Sequence, residues 1–174
     1  MTNIVNPFIK FPVVDDDTTT TYDHMNDVGT TFSDTYGSNP VTCVGILTGA
    51  PAIGTYIQKL TISIRKVGAP PSTMEVGIWN EANAEVVKID VTPNTIFTPV
   101  FALYEFDLLV KTLLKVDYKV GINYPNGGGV VSKRVDVELI HATTETGYNF
   151  THATFALSNT SYDTLMTFDS SPDA

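Results

Sequence analysis

Cysteine is nearly absent from this 174-residue chain: Cys43 stands alone, which rules out an internal disulfide and any cysteine-based zinc site. Cations are scarce as well. Ten Lys and Arg against 19 Asp and Glu leave a formal net charge of -9, the wrong sign for gripping a nucleic-acid backbone and a common basis of solubility. No apolar run approaches the roughly 20 residues of a transmembrane helix, so no membrane span is expected. The opening Met1-Thr2-Asn3-Ile4-Val5-Asn6-Pro7 lacks the basic and apolar regions of a secretory leader. The expectation is a leader already removed, or exit by another route such as inside a released virus particle, with residence on a virion or an extracellular surface. Nor does any stretch keep a helical period over ten residues. His24, His141 and His152 show no metal-motif spacing, and no serine sits in a Gly-x-Ser-x-Gly elbow. A non-enzymatic protein is expected.

What the chain does contain is alternation. Gly54 to Asn80 sets the pattern, with Leu60, Ile62 and Ile64 on one face and Lys59, Thr61, Ser63 and Arg65 on the other. A period of two is what a half-buried strand requires. Gly68-Ala69-Pro70-Pro71-Ser72 stops it, since two prolines remove donors and fix φ. Met74, Val76 and Ile78 then alternate against Glu75, Gly77 and Trp79. These two strands form either a hairpin or a crossing between sheets.

Further strands are expected at Gly29 to Phe32, Val41 to Leu47, Glu85 to Val91, Leu103 to Val110, Tyr118 to Tyr124, Val135 to Ile140, Gly147 to Thr151 and Thr164 to Phe168. Asp34 to Pro40 and Pro125 to Gly129 read as turns, and Leu108 to Leu114 reads as a brief helix. Asp15 to Thr21 reads as a polar loop. Valine, threonine and tyrosine are plentiful, as strands prefer. With 43% hydrophobic residues the chain can bury one core. The expected fold is all-β: a single-domain, jelly-roll-like β-sandwich over 21–174, preceded by an extended arm and polar loop over 1–20.

Four features carry the functional expectations. In the arm, Phe8, Ile9, Phe11 and Val13 are interrupted by Pro7 and Pro12, so the segment pairs with its own sheet edge or adds a strand to a neighbouring subunit. Asp15, Asp16 and Asp17, near Asp23 and Asp27, offer the hard oxygens that calcium accepts, but also suit a solvated acidic loop. No other cofactor is expected. Trp79, placed outward by the alternation beside Asn80 and Glu81, either stacks on a sugar ring, or caps the sandwich end or meets a subunit, with one face apolar and its indole N–H wet. Tyr22, Tyr36, Tyr148 and Tyr162 fall in polar loops and serve either reading. Asn149-Phe150-Thr151 and Asn159-Thr160-Ser161 fit the N-glycosylation pattern. Cys43, in an apolar alternating stretch, is expected to be buried.

The order of Val28-Gly29-Thr30-Thr31-Phe32, Ile57 to Pro70, Met74 to Trp79, Tyr104-Glu105-Phe106-Asp107 before Leu113 to Ile122, and Tyr162 to Phe168 is similar to a known pattern. It resembles a family of jelly-roll modules found on microbial surface proteins, secreted multidomain enzymes and viral particles. The resemblance covers roughly residues 28 to 168. It implies a module that binds or builds surfaces and does not catalyse. With the missing leader, the single domain, the proline-bearing arm and the lack of catalytic residues, the expectation is a virion component (capsid-decorating, spike or minor capsid subunit) whose partners are itself or other structural subunits. The alternatives are a carbohydrate-binding module with a glycan partner and a surface-filament subunit completed by donor strands.

Overall fold

The computed structural model describes residues 19–23, 31–127, 131–140, 147–155, 163–164 and 166–171. The regular structure of the described chain is almost entirely strand: β1 (Thr19–Asp23), β2 (Thr31–Thr35), β3 (Val41–Ile46), β4 (Tyr56–Val67), β5 (Met74–Trp79), β6 (Glu85–Val91), β7 (Ala102–Leu113), β8 (Lys119–Asn123), β9 (Arg134–Ile140), β10 (Tyr148–His152), β11 (Asp163–Thr164) and β12 (Met166–Ser171). One short helix, α1 (Pro93–Ile96), links β6 to β7. Among the described residues no helix is long and apolar enough to cross a membrane.

The strands form two antiparallel sheets packed face to face. The larger has seven strands, with β4 at its centre: β7 lies along one side, while β12 and β9 share the other. Beyond them come β1 against β12 and β2 against β9. The smaller sheet runs β10-β3-β8-β5-β6. The stretch from β4 to β5 is therefore a crossing between sheets and not a hairpin, because Pro70 and Pro71 carry the chain over the end of the sandwich. Tyr124 fixes this turn: its hydroxyl donates to the Pro71 carbonyl, and burial pushes its pKa up to about 12.

Alternation decides the interior. Leu60, Ile62 and Ile64 of β4 meet Val44 and Ile46 of β3, Met74, Val76 and Ile78 of β5, and Val120 and Ile122 of β8, all fully buried. Each such side chain contributes about 1.5–3 kcal/mol by leaving water. Polar groups also bridge the sheets. The Thr42 hydroxyl on β3 lies 2.9 Å from that of Ser33 and 2.8 Å from that of Thr35, both on β2, so these buried groups satisfy one another. Gly121, at φ +153, lets β8 approach β3, since a Cβ there would stand 2.5 Å from the Thr42 carbonyl oxygen.

Four expectations are corrected. Thr19–Asp23 is strand where a polar loop was expected: its backbone pairs with β12. Asp34 and Thr35 belong to β2 and not to the following turn. Tyr148 lies in β10 with its ring in the core beside Phe168. The stretch read as a helix over Leu108 to Leu114 continues β7 through a bulge instead. Lys59 faces Asp107 and Ile57 faces Thr112, so Leu108, Leu109, Val110 and Lys111 all stand opposite Gln58. Leu108 remains in the core while Leu109 and Val110 are thrown outward.

Candidate functional site

The outer face of the smaller sheet holds the tryptophan. Trp79 does lie on the side of β5 opposite Met74, Val76 and Ile78, but the expectation that it faces solvent is corrected: it is 3% exposed. Ala153, at φ +66, turns the chain as it leaves β10, and its N–H donates to the Val41 carbonyl. This brings the Phe155 ring to 5.2 Å from the indole, over a small cluster with Val41 and Cys43. Burial pushes the Cys43 thiol up, out of the reactive range. Asn80 and Glu81 do not join the indole in a site. The Asn80 Oδ1 accepts the N–H groups of Ala82 and Ala84 and so shapes the β5–β6 turn, while the carbonyls of Asn80 and Glu81 face the buried Lys119 Nζ at 3.4 and 3.5 Å. With the ring covered, a sugar has no platform at this position.

Farther along the same face, Lys88 meets the Glu75 carboxylate at 2.5 Å, with Glu85 and Asp90 each at 3.5 Å. The hydrogen bond to Glu75 is the main reason the Lys88 pKa is raised. Asn123 donates to the other Glu75 oxygen at 2.7 Å. This is a self-satisfied polar ladder.

The outer face of the larger sheet carries a denser arrangement. Asp136 on β9 is wholly buried between two guanidinium groups, with Arg65 Nε at 2.8 Å and Arg134 Nε at 2.6 Å. Arg65 also packs over the tilted pair of rings of Phe32 and Phe101, at 4.9 and 4.5 Å from their centroids. Next to it the Ser63 hydroxyl donates to Glu138 at 2.6 Å, and Leu103 lies exposed.

Where β2 and β10 lie at the same margin of the two sheets, they leave an open cleft of about 270 Å³. Leu139 and Phe150 form its apolar floor, and Thr31, Phe32, Ser33 and Asp34 line the β2 side. His152 stacks flat on Phe150 and lies 3.2 Å from the Asp34 carbonyl. A carbonyl only accepts, so Nε2 carries the proton there. The Asp34 carboxylate is 3.9 Å from the same nitrogen. Sequence reasoning missed this cleft, because Asp34 and His152 are far apart in the chain and neither sits in a motif.

At the opposite margin β7 presents its bulge. The Thr112 hydroxyl donates to the Val110 carbonyl at 3.2 Å and closes the loop, leaving Leu109 86% and Val110 62% exposed. Ile96 at the end of α1, Val100 in the loop after it and Leu103 near the start of β7 are also exposed, with the exposed Glu105 and Asp107 between them and the bulge.

Among the described residues no three His, Cys, Asp or Glu side chains converge as metal ligands. Asp15, Asp16 and Asp17, the calcium candidates, lie outside the described residues, as do Phe8, Ile9, Phe11 and Val13 of the arm, His24, His141 and the second glycosylation pattern. In the first pattern Thr151 is buried within β10, its hydroxyl 3.3 Å from the Cys43 carbonyl. Comparison with protein-family models, curated proteins and solved structures finds no match to the chain.

Proposed function

We propose that this chain is a non-enzymatic structural protein, a jelly-roll-like sandwich that works through protein–protein contacts as a virion component (a capsid-decorating, spike or minor capsid subunit). One observation carries the contact reading: β7, which pairs only with β4 among the described residues, exposes Leu103, Leu109 and Val110, and Ile96 and Val100 are exposed just before it. Scattered apolar residues need no explanation, but large ones concentrated on an edge strand mark a surface meant to be covered. The outer aromatic face supports it, because an arginine packed over two phenylalanine rings and paired with Asp136 is positioned before any partner arrives. The virion assignment rests on the resemblance to jelly-roll surface modules described above.

Sizing chromatography with light scattering over a concentration series tests the contact reading. The expected result is a mass that climbs with concentration. A strict monomer that also fails to bind particles from its native source would refute it.

A further inference from the structure

We infer that copies of this chain join head to tail, the Leu109–Val110 bulge of one copy seating in the β2/β10 cleft of the next. The inference rests on the contact reading above and names its partner: a second copy.

Knob and hole are both present on one molecule, at opposite margins of the same sheet. Across β4, β7 is the last strand on one side among the described residues; on the other, β12 and then β1 lie beside Tyr56–Ile62, and β9 and then β2 lie beside Ile64–Val67. The knob is made by the bulge, which drives two apolar side chains away from the core. The hole has an apolar floor in Leu139 and Phe150, with Phe32 at its lip.

Strand direction fits the same arrangement. β2 is antiparallel to β9, which is antiparallel to β4, so β2 and β4 run the same way. β7 is antiparallel to β4 and therefore runs against β2. A second copy in the same orientation, shifted along the strands so that its bulge reaches β2, brings its β7 to the first copy's β2 in the antiparallel sense, without inverting either molecule. Charge agrees as well: Lys111 flanks the knob and Asp34 lines the hole. A knob and a hole on different surfaces make a heterologous contact, which repeats into a ring or a filament and does not stop at a dimer.

Cysteine pairing tests this directly. Cys43 is buried, so engineered surface cysteines react alone. Leu109 and Thr31 are both exposed, and replacing either leaves the core intact. Leu109→Cys and Thr31→Cys proteins are purified separately, mixed, and oxidised with glutathione disulfide. The expected product is a covalent dimer in the mixture and in neither protein alone, with a ladder of larger species when one chain carries both changes. In the unlinked protein, Leu109→Asp is expected to weaken association by about thirtyfold, the loss typical of a central interface residue. If wild type associates but the mixture links no better than its components, or Leu109→Cys links as well alone, this interface is wrong while the contact reading stands. If wild type stays monomeric throughout, both fall.

Discussion

Replacing Trp79 with alanine lowers the unfolding free energy by about 3–5 kcal/mol and opens Cys43 to thiol reagents. The size of the loss follows from burial: a fully enclosed aromatic truncated to a methyl forfeits its transfer free energy and leaves a void that β-strands cannot close. Trp79 is 3% exposed, with the tilted Phe155 ring packed at 5.2 Å and Cys43 and Val41 in the same small cluster. Removing the indole also removes what holds Phe155 in place, so the thiol beneath loses its cover. Urea melts give the first quantity and a colourimetric thiol assay on the native protein gives the second. Trp79→Phe keeps most of the packing and is expected to cost less than half as much. A Trp79→Ala protein that loses under about 1 kcal/mol and keeps its thiol silent contradicts this account of the outer cluster.

Asp136→Asn is expected to cost about 3 kcal/mol. Breaking a buried ion pair by removing one partner typically costs 3–5 kcal/mol, and the lower end applies because the two cations reach solvent. Asp136 is wholly enclosed, whereas the Arg65 and Arg134 side chains keep 29% and 14% exposure. Without the carboxylate the guanidinium groups are left close together over the same rings, since Arg65 packs on Phe32 and Phe101 and Arg134 lies 5.5 Å over Phe32. Replacing all three charges together, as Asp136→Leu with Arg65→Met and Arg134→Leu, is expected to recover most of the loss. That recovery is the diagnostic, because a purely steric role for Asp136 predicts a triple variant at least as unstable as the single one. Chemical denaturation of the three proteins decides it.

The core was legible from the sequence because its signal is local. The stripe Leu60, Ile62, Ile64 and the run Tyr118, Val120, Ile122, Tyr124 each state their buried face within a few residues. Where the signal was weak or mimicked another, the reading failed. Thr19–Asp23 has no apolar stripe, and only pairing with β12 makes it a strand. Leu109, Val110, Leu113 and Leu114 imitate helical spacing, because the bulge disrupts the period of two at that point. The parity of Trp79 was read correctly, but its cover comes from Phe155, seventy-six positions later and out of reach of any local pattern. The cleft fails for the same reason: β2, β9 and β10 supply its walls from three distant parts of the chain.

Amide hydrogen exchange followed against protein concentration tests the central claim, that this sandwich acts by joining its β7 margin to its β2 margin. As the mass rises above the 18.9 kDa of one chain, exchange should slow together at Leu108 to Thr112 and at Thr31 to Asp34, with β5 and β6 unchanged. Slowing confined to other strands, or rates that never depend on concentration, would contradict it.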